Sequence, residues 1–222
     1  MSCQGYVLPS EEDLGREFSA GRNVVRLALA ALQQEGLVVR VQGAGTFVRR
    51  GKVRMDRQRL GGLAHNLKAA GTGTDAERIV YKTQLMEFRP APGVVAATLR
   101  IPVGSTVAVL ERKSFYGDQP CSLATRYMPA DIGARLCEGD LTTEDWVPAL
   151  EAAAGRAVAR VHAVTEAVLA DELLAPDLGV PVGSPVLLRH LHSYAVTGEV
   201  LEFVVTRLRG DLVEIENWIV DR

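Results

Sequence analysis

Apolar and polar positions along the chain change period several times, and each change marks an element. Ser10 followed by Glu11, Glu12 and Asp13 has the form of a helix N-cap with an acid three positions on. Pro9 fixes the entry, so a helix is predicted over roughly Glu11 to Phe18. After a break at Ser19 to Gly21, Val25, Ala28, Leu29 and Leu32 recur at i, i+3, i+4 and i+7, the spacing of one buried helical stripe, and Gly36 ends the run. Leu37 to Val41 and Thr46 to Arg49 then read as two strands joined by Gln42, Gly43, Ala44 and Gly45, a turn whose glycines accept positive φ. The predicted order is helix, turn, helix, hairpin. The basic stretch from Arg50 to Gly62, closed by a glycine pair, reads as a linker.

Beyond the linker the pattern repeats. Ile101 to Val109 (IPVGSTVAV) returns as Val180 to Leu188 (VPVGSPVLL) at an offset of 79 residues. Both copies run through a strand, pass Ser114-Phe115 or Ser193-Tyr194, turn at Gly117-Asp118 or Gly198-Glu199, and return through Thr125-Arg126-Tyr127 or Thr206-Arg207-Leu208. The offset there is 81, which predicts a two-residue insertion in the second hairpin. Helix-like segments, Val94 to Leu99 and Asp171 to Leu178, precede the copies. A helix near Trp146 to Ala154 and a long strand over Ala157 to Leu169 complete the unit. The expected fold class is α+β, with a mainly antiparallel sheet in the larger part.

Charge divides the chain along the same line. The 25 basic and 27 acidic residues nearly cancel, yet Ala20 to Leu60 holds nine basic residues against Glu35 and Asp56. A basic unit joined to an acidic remainder suits contact between one part and a polyanion. No apolar run approaches the roughly 20 residues that span a bilayer, and the first ten residues lack the pattern of a secretory signal, so a cytoplasmic protein with no membrane partner is expected. Cys3, Cys121 and Cys137 are odd in number and widely spaced, which points to reduced thiols and to no metal or other cofactor.

The second helix carries the strongest chemical signal. Arg22, Asn23 and Arg26 lie at its N-terminal end, off the Val25/Leu29/Leu32 stripe, where a helix can offer side chains to base edges in a major groove. Gly43 and Gly45 make a slim hairpin tip flanked by Arg40, Arg49 and Arg50, suited to phosphate contact. The other reading of these residues is a solvated face on an amphipathic helix.

LPSEEDL, GRNVVRLALAALQQEGLV and VQGAGTFV together resemble the winged helix-turn-helix of GntR-type bacterial transcription regulators, over Leu8 to Val48. Val80 to Asp211 resembles the UTRA effector-binding domain of the HutC subfamily, through PVGS, Leu-Glu-Arg, Tyr-Met-Pro, LGVPVGSPVL and Arg-Gly-Asp. The resemblance implies a winged domain over residues 1–50, a linker over 51–62 and a UTRA domain of chorismate lyase-like fold over 63–222. It also implies a homodimeric, ligand-responsive regulator, a repressor in the first instance, that binds double-stranded operator DNA. Its DNA contacts would be Ser10, Arg22, Asn23, Arg26, Arg40, Gly43, Gly45 and Thr46. The family's first helix normally precedes the Leu-Pro-Ser-Glu motif, and only nine residues stand before Ser10, so either a truncated start or an incomplete DNA-binding core is expected.

The resemblance also marks an effector site. Relatives that take phosphorylated amino sugars use an Arg-x-Arg pair on the first hairpin strand, a Glu on the return strand, a Ser-x-Tyr ahead of the middle helix, and a late Glu with a Tyr six residues on. Arg112 and Glu202 match, whereas Ser114, Ala124, Asp145, Val147 and Leu208 stand at the other places. Arg112 and Glu202 are therefore expected as an orienting pair with Ser114 and Thr206 as neighbouring donors, for a small effector less anionic than a phosphosugar. The other reading of that pair is an internal salt bridge tying the two half-repeats. His190 and His192 share a strand face but lack a third ligand at a fixed spacing, as do His65 and His162, so no metal site is expected. No hydrolase, phosphate-loop or metalloprotease motif is present, and the protein is not expected to be an enzyme. Two alternatives stand beside the regulator: a truncated sensor that no longer grips DNA, and a small chorismate lyase-like enzyme using Arg112 for a carboxylate.

Overall fold

The computed structural model of the chain describes residues 7–34, 37–41, 43, 45–48, 53–56, 79–143 and 146–216. They belong to two compact units, 1–52 and 53–222.

Ser10 opens the first unit as its position requires. Its backbone is extended, its Oγ accepts from the Asp13 N–H at 3.1 Å and donates to the Asp13 carboxylate at 2.6 Å, and α1 follows over Glu11–Glu17. Ser19, at φ 50°, turns the chain into α2, Arg22–Gln34. Val25 and Leu29 are buried as expected and Leu32 is partly buried, but Ala28 is exposed. Val24 and Leu27 also lie exposed, as does Phe18 after α1. The hairpin pairs β1, Val38–Val41, with β2, Gly45–Val48, so that Val41 faces Gly45. Gly43 and Gly45 take φ of 79° and 114°, a region that side chains other than glycine enter at a cost. Val7 bridges to Phe47, and the Leu8 N–H donates to the Thr46 carbonyl. Gln42, Ala44, Arg49 and Arg50 lie outside the described residues.

In the second unit a six-stranded antiparallel sheet runs in the order β4-β5-β6-β9-β8-β7. The strands are β4 Ile79–Pro90, β5 Thr106–Tyr116, β6 Gln119–Pro129, β7 Val158–Leu169, β8 Pro185–Ala195 and β9 Val200–Arg209. The central strands β6 and β9 come from different half-repeats, so the sheet is a head-to-head join of two β-β-β units. Helices cover both faces. Ala108 and Leu110 of β5 point to α4 (Ala130–Leu136) and α5 (Trp146–Ala154), whereas Val107 and Val109 point to α3 (Gly93–Leu99) on the other side, with α6 (Leu174–Leu178) sharing that side over Leu123. Leu110, Ile132 and Leu150 are fully buried between the sheet and α4/α5, each contributing about 1.5–3 kcal/mol by leaving water.

The repeat extends to backbone conformation: Arg100 and Gly179 both end their helices left-handed, and Gly104 and Gly183 both turn at φ near 80°. The hairpins correct the sequence register. The first has a two-residue loop, Gly117-Asp118, since Tyr116 faces Gln119. The second has three residues, Val196 to Gly198, closed by the Ala195 N–H donating to Glu199 O. Ser114 faces Ser122 and Ser193 faces Glu202, so the offset grows from 79 to 80, and the insertion is one residue, not two. An offset of 81 would put equivalent side chains on opposite faces of the sheet.

Two further differences follow from local chemistry. The helix expected over Asp171 to Leu178 is only Leu174–Leu178, and the Asp171 carboxylate accepts from the N–H groups of Leu173 and Leu174 in the turn that leads into it. Within the expected linker, Val53–Asp56 forms β3, paired in parallel with β10, Val213–Glu216, and is part of the second unit.

Gly133 of α4 sets how closely that helix approaches the sheet: a Cβ there would lie 2.1 Å from the Ala108 Cβ. Gly133→Ala is expected to lower the unfolding free energy by about 1–3 kcal/mol, read as a reduced midpoint in urea titration.

Candidate functional site

The first unit brings two basic side chains, Arg22 and Arg40, to one carboxylate. Arg22, Asn23 and Arg26 stand exposed at the N-terminal end of α2. Arg40, on β1, donates through Nη2 to Oε1 of Glu11, whose other oxygen lies 3.8 Å from Arg22 Nε. Glu11 is thus a strut between helix α1, helix α2 and the hairpin, and its side chain is only 17% exposed. In the sequence Glu11 stands only as the first residue of the predicted helix, because nothing local signals a contact 29 residues away. Ser10 is engaged by Asp13, and the Asp13 carboxyl is held below its usual range, first by the Ser10 hydrogen bond and then by Arg16. Gly43 and Gly45 are exposed at the hairpin tip, and Thr46 is partly buried beside them.

In the second unit the strand register lines up Thr83, Arg112, Ala124, Thr206, Arg189 and Thr165 as one row across all six strands. The row lies on the α4/α5 face, and Ser114 and Glu202 point to the same face from rows on either side. All four expected effector residues are therefore on one surface.

Their bonding differs from the expectation. Glu202, 4% exposed, is not joined to Arg112; its Oε2 accepts from Arg126 Nη1 at 2.7 Å and from Trp146 Nε1 at 3.0 Å, and its Oε1 accepts from Ser193 Oγ at 3.0 Å. The salt bridge tying the two half-repeats exists, with Arg126 of β6 as the cation. Position 126 is two residues along the strand from Ala124, one side-chain step on the same face, which brings its guanidinium within reach of β9. Ser114 is buried and engaged by Ser122, with the Cys121 sulfur at 3.4 Å.

Arg112 is placed differently. It is 3% exposed, its Cζ lies 4.3 Å from the Tyr81 ring centroid and 5.0 Å from that of Trp146, and its Nη2 donates to the Thr143 carbonyl at 2.7 Å. Nε and Nη1 have no hydrogen-bond partner. Burial, and then repulsion by Arg126, bring its pKa down to about 10, while Tyr81, Glu202 and Asp140 pull it the other way. Tyr81, Arg126, Trp146 and Ser193 were not picked out as site residues in the sequence. Trp146 belongs to the core as expected, yet its ring also lies under Arg126 at 4.1 Å. Asp145 lies outside the described residues.

On the opposite face His162, His190 and His192 cluster with Phe203, and burial, followed by the two neighbouring imidazoles, lowers the His192 pKa. Among the described residues no group of three His, Cys, Asp or Glu is placed to hold a metal, and no helix is long and apolar enough to cross a membrane. His65 is not among the described residues. Burial pushes the Cys121 thiol up to about 11, which leaves it unreactive.

Residues 76–214 match the UTRA domain, and residues 4–48 match the bacterial regulatory proteins of the gntR family. The chain is 32% identical to the HTH-type transcriptional regulator Rv0792c of Mycobacterium tuberculosis, over 94% of this chain and 76% of that one. It is 28% identical to the HTH-type transcriptional repressor NagR of Bacillus subtilis, over 92% and 82%. The crystal structure of PhnF from Mycobacterium smegmatis superposes with a TM-score of 0.75 at 25% identity, covering 98% of this chain and 93% of that one.

Glu202→Ala removes the anion that three protein donors share and leaves Arg126 unpaired. Unfolding in urea is expected to show a loss of about 3–5 kcal/mol.

Proposed function

This chain belongs to the gntR family of bacterial regulatory proteins with a UTRA domain, and we propose that it binds operator DNA through the N-terminal end of α2 and the hairpin. It is a ligand-responsive, DNA-binding transcription regulator and not an enzyme. The observation that carries the DNA-binding face is the exposed set Arg22, Asn23 and Arg26 on one helix end. A helix N-terminus presents free N–H groups and a partial positive charge to phosphate, and its first turn can reach base edges. Arg40, oriented by Glu11, adds a phosphate contact from β1, and Gly43 and Gly45 allow the hairpin tip to approach the duplex closely. Ser10 and Thr46 border this surface.

In this reading residues 1–50 form the DNA-binding part, and the UTRA part binds the effector through Arg112, with Thr206 beside it in the same row. Glu202 and Ser114 act indirectly, by holding Arg126, Trp146 and Ser122 in place. The regulator works in the cytoplasm, as a homodimer on a roughly two-fold-symmetric operator, since paired half-sites suit paired recognition helices. Repression is the favoured mode, as the relatives NagR and PhnF are named repressors.

Fluorescence anisotropy with the DNA upstream of its own gene tests the DNA-binding face. Affinity is expected to fall steeply with salt, and Arg26→Ala should weaken binding and change the log–log salt slope by about one if it contacts phosphate. Salt-insensitive binding, or none, would refute it. Size-exclusion chromatography with light scattering should give twice the 24.0 kDa chain mass, and a monomer would refute the dimer.

A further inference from the structure

Three arginines share the α4/α5 face of the sheet, and they are not equivalent. Arg126 is neutralised by Glu202, and Arg189 is engaged in a contact of its own. Among the described residues Arg112 hydrogen-bonds to the neutral Thr143 carbonyl alone and keeps Nε and Nη1 without acceptors, although it is almost wholly buried. A buried guanidinium in that condition is costly unless an anion completes it. Tyr81 and Trp146 lie against it, so its free hydrogen-bonding capacity is in the edge of the guanidinium plane.

Partly exposed residues adjoin it. Ala124, directly across from Arg112 on the next strand, remains partly exposed in the middle of a six-stranded sheet, as does Thr206 beyond it, and Leu191 is partly exposed nearby. This floor is small and largely apolar. Glu202, on the same face, already accepts from three protein donors.

Resting on the reading of this face as the effector site, we propose that the effector is a small apolar monocarboxylate whose carboxylate meets the edge of Arg112 and whose apolar body lies over Ala124, Thr206 and Leu191. A guanidinium whose Nε and Nη1 lack acceptors suits one negative charge, and the planar fork of arginine fits a carboxylate. A phosphate dianion would leave a surplus negative charge beside Glu202, and a polyhydroxylated body would find Glu202 already occupied by protein donors. The low pKa of Arg112 is in keeping with this, since an ion at its edge would restore what burial removes.

The Arg112 Nε–H resonance of the full chain, followed by nitrogen-15 NMR and assigned with Arg112→Lys, reads the site without a stability assay. At matched ionic strength, benzoate is expected to shift it saturably and at lower concentration than acetate. Inorganic phosphate and glucosamine 6-phosphate should need at least tenfold more, or fail to saturate. A preference for either phosphate over benzoate, or no saturable shift with benzoate, would overturn the proposal. Melting of the free protein gives a second readout: Arg112→Met should melt no lower than the parent chain, because it removes an uncompensated buried charge, whereas a drop of several degrees would assign Arg112 a structural role and count against the proposal. Saturation by benzoate without any effect on operator affinity would uphold the ligand class and count against the regulatory reading. Operator binding with no carboxylate response at Arg112 would do the reverse.

Discussion

A carboxylate buried among a cation, an indole N–H and a hydroxyl organises the larger unit. Glu202 sits on β9, and its three donors come from β6, β8 and α5, so a single side chain joins the two half-repeats and attaches a helix to the sheet. A lone carboxylate at 4% exposure would be prohibitively expensive. With its partners in place it fixes which rotamers Arg126 and Trp146 adopt, and those rotamers in turn determine the surroundings of Arg112. The ordered, fully satisfied part of the face and the unsatisfied part are therefore neighbours and depend on each other.

The head-to-head join of the two half-repeats explains why this face has room for a site at all. Each half brings its own hairpin and its own short helix, α3 or α6, to one side of the sheet. The helices that follow the first hairpin, α4 and α5, cover the other side over Ala108, Leu110, Met128 and Leu201. The second half contributes no matching pair, and residues such as Ala124, Thr206 and Leu191 are left partly open. Gly133 permits the close approach of α4 to the sheet over Ala108.

The first unit uses a simpler device. Ser10 and Asp13 close the start of α1, and the residue between cap and first turn, Glu11, reaches across to Arg40 and toward Arg22. One acidic side chain thereby holds two basic ones against the mutual repulsion of a positively charged surface. Exposed pairing of this kind contributes little stability, about 0–1 kcal/mol.

Periodicity and capping made the helices α1, α2 and α5, the hairpins and the repeat legible in the sequence, because those features depend on residues within a few positions of one another. The grouping of Arg112, Ser114, Glu202 and Thr206 followed from motif likeness, and the strand register is what puts all four on one face. Which cation meets Glu202 was not legible: the choice between Arg112 and Arg126 is a matter of sheet register and side-chain direction, and 76 residues separate Arg126 from its partner. The same reason hid the one-residue insertion, since Thr-Arg recurs in sequence at an offset that the pleat does not allow, and it hid β3, whose partner β10 lies near the far end of the chain. The amino-acid sequence by itself determined the local elements and the kind of chemistry they carry; only the tertiary structure decided which charges meet and which guanidinium is left open, because burial and hydrogen bonding between distant strands are properties of the packed sheet.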